Sequence, residues 1–496
     1  MANSSHNSHT SPAAPGRDGM PAARRAAAAA AARLADGRAA AGPEHPRALA
    51  RRVLLAGGLA AGAVGFGVGA PAWAGPVPVD LEETAPAAPT TPTAPTAAAA
   101  SPKDPDFHPV KFRLPEPSGR KALGTTSIHL IDEKRPDPRM PSGQRELMIT
   151  LWYPATIMGS KKLAKYMPER TAREVDDSWT GEYGLALPKG TFDFANTETH
   201  SRVNAPMQQL KHPILLFSPG YQYSRFVNTA QAEDLASRGY VVVAMDHTHE
   251  TPTEFPGGRF LPGVPASQLP DPLFTRQAVE TRVADTRFVL DQLEKLAAGR
   301  EVGAKDNELP KGLAGGLDVR RVGMFGIGLG GYATAAAMYA DKRIGTGLNL
   351  DGTLQDDRRN GPVAEVATKG MDRPLLLWAS DETQFTDPKQ DTFDLSWATF
   401  WAVQKGGKLN LALKGAKQKA FTDYQFVFDQ VFRDIYGDDP IITSVMTALV
   451  GQVDPGRSIL AQREYLAAYF DTTLRRRPDA LLRQNSPKFP EVHVQW

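Results

Sequence analysis

RVGMFGIGLGGYATAAAMYA, residues 321–340, reads as a strand, a glycine turn and a helix in immediate succession. RVGMFG (321–326) is short and apolar, as in a strand buried on both faces. LGGYATAAAMYA (329–340) is a helix of small residues that can pack closely on a sheet. Two chemistries use so tight a turn. One is the nucleophile elbow, Gly-x-Ser-x-Gly, whose glycines let a serine stand at the tip of a strained bend. The other is the dinucleotide loop Gly-x-Gly-x-x-Gly, which Gly326, Gly328 and Gly331 match literally. Asp351, about 20 positions on, has the ribose-binding spacing of that loop.

The flanking sequence alternates strands and helices. Thr126–Ile131 and Glu146–Tyr153 read as an opening antiparallel pair. HPILLFSPGY (212–221) and YVVVAMDH (240–247) are apolar runs suited to inner parallel strands. GTGLNLDG (345–352), RPLLLWAS (373–380) and LNLALKG (409–415) continue the pattern. Helices are predicted near 229–237, 275–297, 395–404, 419–434 and 457–474. The fold class is therefore α/β: a single domain with a mostly parallel central sheet flanked by helices. About five strands precede the glycine turn, whereas a dinucleotide loop normally belongs to the first βαβ unit of its domain.

Lys and Arg total 57 against 55 Asp and Glu, so the net charge of +2 gives no reason to expect a nucleic-acid partner. Zero cysteines exclude disulfide partners, thiolate metal sites and a cysteine nucleophile. Residues 1–74 read as a leader: Arg51-Arg52, a weakly apolar stretch from Val53 to about Ala70, then Ala72-Trp73-Ala74 as a cleavage pattern. Paired arginines point to twin-arginine export and a secreted protein, with an uncleaved N-terminal membrane anchor as the alternative. Met1 and Met20 both serve as candidate starts. Residues 75–103 form a Pro/Thr/Ala-rich linker. The folded domain is placed at 104–475 and a C-terminal tail at 476–496.

HPILLFSPGY, DLASRGYVVVAMDH, RVADTRFVLDQL (282–293), the glycine turn, LNLDG and KGAKQKAFTDYQF (414–426) together resemble platelet-activating-factor acetylhydrolases and related bacterial α/β-hydrolases. The likeness covers most of about 145–475 in the family's order, and implies the α/β-hydrolase fold. The family's elbow usually reads Gly-His-Ser-x-Gly-Gly. Here Gly326-Ile327-Gly328-Leu329-Gly330-Gly331 puts Gly328 at the nucleophile. The resemblance places the catalytic acid at Asp351. The family's histidine loop, Gly-x-x-His-x-x-Phe-x-Asp, aligned on Gly415, Phe421 and Asp423, puts Gln418 at the histidine. It also implies oxyanion donors at the amides of Tyr221 and Leu329. Gly328 cannot attack a carbonyl, and Gln418 cannot take up a proton near neutral pH.

Ser218 ends a strand beside the implied oxyanion loop and is a candidate hydroxyl for the pocket. Asp381 follows the strand after which many other α/β-hydrolases carry their acid, and reads as a turn residue. His247 and His249 in Asp-His-Thr-His-Glu have a metal-like spacing but are read as pocket candidates, with no metal and no cofactor expected. His108, His129, His200, His212 and His493 read as surface or strand-end residues. The leading expectation is a protein that keeps a pocket for a small acyl ester or phospholipid-like ligand without serine-hydrolase activity. The alternative is an enzyme with changed chemistry: a lyase, a cyclase or a water-based ester hydrolase. Nucleotide binding at the glycine turn is a third.

Overall fold

The computed structural model describes residues 108–156, 162–180, 187–263, 274–304, 308–356 and 361–495. The leader and linker readings lie outside these residues. Thirteen strands are described. β1 (Leu123–Pro136) and β2 (Gln144–Pro154) are followed by β3 (Leu163–Lys165), β4 (Glu198–Val203), β5 (His212–Ser218) and β6 (Val241–Asp246). Next come β7 (Thr253–Glu254), β8 (Phe260–Leu261), β9 (Leu317–Ile327), β10 (Ile344–Leu350), β11 (Leu375–Ala379), β12 (Lys408–Leu413) and β13 (Val492–Gln495). All but β7 and β8 join one 11-stranded sheet in the order β3-β4-β1-β2-β6-β5-β9-β10-β11-β12-β13. The run from β6 to β12 is parallel, while β2 joins β6 and β13 joins β12 antiparallel.

The inner strands are apolar on both faces because helices cover both. Residues alternate between the two layers, as the two-residue strand period requires. Leu215, Phe217, Val242, Ala244, Phe325 and Trp378 point into one core, with Leu235, Phe428 and Tyr465. Ile214, Leu216, Val241, Val243, Met324 and Leu377 point into the other, with Leu293, Met338 and Trp397. The helices that supply these layers are α1 (Glu169–Trp179), α2 (Thr229–Ser237), α3 (Phe274–Ala297), α4 (Leu329–Ala340), α5 (Leu395–Val403), α6 (Tyr424–Tyr436), α7 (Pro440–Leu449) and α8 (Pro455–Leu474). Among the described residues no helix is long and apolar enough to cross a membrane.

After β5 the chain adds β6 on one side and later β9 on the other. The strand order thus reverses between β5 and β9, where open α/β sheets form a crevice at their carboxyl ends. Pro219-Gly220-Tyr221 leaves β5 there, and the glycine turn leaves β9.

One boundary is corrected. Residues 476–495 are not a tail outside the domain: β13 pairs Val492 to Leu413 and Gln495 to Asn410, and Val492 is fully buried. The four-residue VHVQ is too short for its alternation to register as a strand. Burying a valine is worth about 1.5–3 kcal/mol. Truncation before Glu491 is therefore expected to lower the thermal unfolding midpoint by several degrees; an unchanged midpoint would return these residues to the status of a tail.

Candidate functional site

The elbow depends on two backbones meeting with no side chain between them. A Cβ at Gly330 would overlap the Ser218 carbonyl at the end of β5. Glycine is thus required for α4 to start against the β5 loop. Gly328, at the tip, has φ 53° and ψ −119°, in the left-handed half of the map that side-chain-bearing residues avoid. Between Val322 and Ala335 it is the only residue that is not buried. The tip therefore opens outward from an otherwise sealed turn.

Leu329 is the first residue of α4, so its N–H has no acceptor within the helix. Its side chain is buried. The Pro219–Tyr221 loop abuts the elbow: a Cβ on Gly220 would stand 3.6 Å from the Ile327 carbonyl. Tyr221 packs its ring edge-on against Phe274 at 5.0 Å, and burial pushes its phenol pKa up. Gln222, His249 and Asp351 also hold positive φ, at 65°, 73° and 56°. They follow β5, β6 and β10, so strain gathers at one end of the sheet.

Asp351 lies just past β10, and its carboxylate accepts the Ser380 N–H and the Ser380 hydroxyl, both at 2.9 Å. Gln418 opens a short 3-10 turn, Gln418–Phe421, ahead of α6. A Cβ on Gly328 would meet Gln418 Oε1 at 3.2 Å. Gln418 Nε2 donates to the Asp351 carbonyl at 3.0 Å, and Gln418 N–H donates to Glu382 Oε2 at 3.2 Å. Gly328, Asp351 and Gln418, from three separate loops, thus stand together. The glutamine side chain occupies the space beside the tip. Asp381 sits behind this loop: its carboxylate accepts the Gly415 N–H at 2.6 Å, and its own N–H donates to the Ala416 carbonyl at 2.9 Å. It fixes the turn that carries Gln418.

Ser218 and His247 lie under the site. Ser218 Oγ is 2.9 Å from His247 Nε2, and His247 Nδ1 is 2.9 Å from Asp285 Oδ2. Asp285 also binds Arg145 at 2.7 Å and Arg135 at 2.6 Å. Burial pushes the Asp285 carboxyl up, but Arg145 and His247 outweigh that and hold it well below the usual carboxylate range. Burial first, and Arg282 second, lower the His247 pKa. Since an ionised carboxylate only accepts, Nδ1 carries the proton, Nε2 accepts, and the Ser218 hydroxyl donates to it. Arg282 donates to Ser218 Oγ at 3.0 Å and pairs with Glu250 at 2.6 Å.

All three relay residues are buried, Ser218 and Asp285 completely. His247 therefore faces this sealed network and not an open pocket, against the sequence expectation. His249 is turned by its positive φ toward Asp137, 3.5 Å away. Among the described residues no group of three or more His, Cys, Asp or Glu is placed to hold a metal ion. His212 is the first residue of β5, as a strand-end reading has it, and bonds the Gly239 carbonyl at 2.9 Å; His129 is instead buried within β1 and bonds Glu146 at 2.6 Å. The sequence reading missed Ser380, Glu382, Arg145 and Asp285 as site supports. Only Arg282 and Asp285 left a trace, as charges on the apolar face of α3.

Residues 144–254 match the family described as platelet-activating factor acetylhydrolase, isoform II. A protein of Arthroderma benhamiae named probable 1-alkyl-2-acetylglycerophosphocholine esterase is 27% identical over 400 residues, spanning 77% of this chain and 94% of its own. The platelet-activating factor acetylhydrolase of Cavia porcellus is 24% identical over 251 residues, 48% of this chain and 55% of its own. Among solved structures, a ferulic acid esterase from Streptomyces cinnamoneus superposes with a TM-score of 0.60 at 32% identity, covering 77% of this chain and 99% of that one.

A neutral buried imidazole makes stability pH-dependent with a definite sign. Its folded pKa is lowered, so its contribution is complete above the ordinary histidine value of about 6.5 and is lost progressively as pH falls below it through the lowered folded value. The limiting slope is about 1.4 kcal/mol per pH unit for one proton. His247→Gln should flatten the decline in unfolding free energy between pH 7 and 5.5, read from urea titrations. An unchanged slope would mean that His247 is already charged in the folded protein.

Proposed function

The chain belongs to the platelet-activating-factor-acetylhydrolase-like α/β-hydrolases, and we propose that it keeps the family's acyl pocket without serine-hydrolase chemistry at the elbow. The observation that carries this reading is the elbow itself: Gly328 holds the strained tip conformation with no side chain on it, and Gln418 stands beside it. A nucleophile must supply an oxygen or sulfur, and its base must accept a proton. Neither residue can. Asp351 is the retained acid, and the amides of Tyr221 and Leu329 are the donors left to polarise a carbonyl. Such donors belong to the backbone, so the substitutions at 328 and 418 leave them in place. Esters of acetylglycerophosphocholine and of ferulic acid name the relatives, which supports an acyl group on an apolar or aromatic partner as the ligand. The leader at residues 1–74 supports export, with a retained N-terminal anchor as the alternative.

One observation favours a second reading, an enzyme with changed chemistry. Ser218, His247 and Asp285 stand in hydrogen-bonded line, as a nucleophile, base and orienting acid do. Against it, Ser218 Oγ is sealed from solvent and already takes a hydrogen bond from Arg282.

Hydrolysis of a short-chain p-nitrophenyl ester separates the two. Loss of triad members leaves at most the residual catalysis of binding and the oxyanion hole, roughly 10³–10⁴ over water. The wild type should stay at or below that level. A Gly328→Ser/Gln418→His double substitution should exceed it, although serine at this φ costs about 1–3 kcal/mol of stability. Robust wild-type turnover abolished by Ser218→Ala would overturn the first reading in favour of the second.

A further inference from the structure

We infer that a cavity remote from the elbow binds a small dianion, of which a phosphate monoester is the class that fits. The cavity has a volume of about 650 Å³, and Arg120, Lys121, Thr156, Gln208 and Arg238 are among the residues that line it. No described Asp or Glu lines it. It lies at the amino ends of the inner strands. Lys121 N–H donates to the Ser237 carbonyl at the end of α2, and its side chain packs on Gly239, just ahead of β6. The Gly239 carbonyl is in turn held by His212, the first residue of β5. The elbow stands at the other end of β5, roughly 20 Å away along a seven-residue strand.

Two of the cations at this end are accounted for. Arg238 pairs with Asp234 at 2.8 Å and Glu464 at 2.6 Å. Arg475 pairs with Asp471 at 2.9 Å and caps the Arg238 and Gly239 carbonyls after α2. Arg120 and Lys121 are not: neither forms an ion pair with a described carboxylate. The Lys121 ammonium takes a neutral partner, Gln208 Oε1 at 2.9 Å, which leaves it two N–H groups to give. It is nonetheless crowded against another cation. A Cβ on Gly239 would stand 3.2 Å from both Lys121 Cε and Arg475 Nη2. Burial above all lowers the His212 pKa; its bond to Gly239 opposes this, and Lys121, Arg475 and Arg321 add to it, so cations converge on the start of β5. A cleft lined by charge of one sign concentrates counter-ions. Two uncompensated charges match a phosphate monoester, at about −1.5 to −2 near neutral pH, better than a carboxylate. The planar Arg120 fork suits two phosphate oxygens and the Lys121 ammonium a third. The space over Ala122 and Ala155 takes the organic part of the ligand.

Such a phosphate belongs to a soluble molecule or to a lipid headgroup, and the test separates the two. The full chain is titrated calorimetrically at low ionic strength with glycerol 3-phosphate, glycerol and acetate. It is also sedimented with phosphatidylcholine vesicles, with and without phosphatidic acid. The expected result is saturable binding of the phosphate ester, or of the phosphatidic acid vesicles, but not of glycerol or plain vesicles. That binding should weaken about tenfold or more in Arg120→Gln/Lys121→Gln, and severalfold in about 0.5 M salt. Arg120→Gln alone, at an exposed side chain, serves if the double variant unfolds. Binding of the soluble ester assigns a free ligand, and binding of the vesicles alone assigns a headgroup. Binding of neither, acetate as tight as the phosphate ester, or affinity unchanged in both variants overturns the inference. None of these outcomes bears on the elbow, which shares no residue with this cavity.

Discussion

The structure turns on a contact between two main chains. The end of β5 and the start of α4 approach until only glycine fits at position 330, because any Cβ there would overlap the Ser218 carbonyl. This approach places the reversal of strand order and the amino end of α4 at one point. The tip at Gly328 projects from it, and the β5 loop is held alongside. Beneath it, buried charges anchor the same strand end: Arg282 grips the Ser218 hydroxyl and the Pro219 carbonyl, while His247 links Ser218 to Asp285. Buried ions of this kind are costly unless each is paired, and here each is. The relay is best understood as a foundation for the loop above it.

The central fold was legible because inner parallel strands announce themselves. His212–Ser218, Val241–Asp246 and the Val322–Ile327 end of β9 are each buried on both faces. The edges were not legible. β3, β4 and β13 are short and partly polar, and α1 reads ERTAREVDDSW, with few apolar residues to set a period. Such segments take their structure from what they lean on. The same limit governs the site. Gly328, Asp351 and Gln418 came together in the sequence through the family resemblance, since no spacing rule connects loops so far apart. Asp285 escaped notice because its meaning comes from Arg145, 140 residues earlier. His247 and His249 looked like a pair because they are two residues apart, yet a positive φ at His249 sends them to different partners.

On the proposed reading, the pocket and the chemistry are separable properties of this scaffold. Backbone amides, a helix terminus and a closely packed turn would make that pocket, and they depend on glycines and on sheet topology. Proton transfer and attack depend on two side chains on two loops. A chain can exchange those two without disturbing the packing of either layer, because neither lies in the core.

That separation has an evolutionary side. On the proposed reading, a route from this chain to a serine-bearing relative crosses intermediates that gain nothing. Serine alone at position 328 takes on backbone strain with no base to activate it. Histidine alone at 418 has no oxygen to deprotonate, and it forfeits the amide's bond to Asp351. The two positions are epistatic, and the strain relieved at Gly328 acts as a ratchet. Once the pocket has drifted to this state, selection for binding holds it there more easily than selection for turnover could recover it.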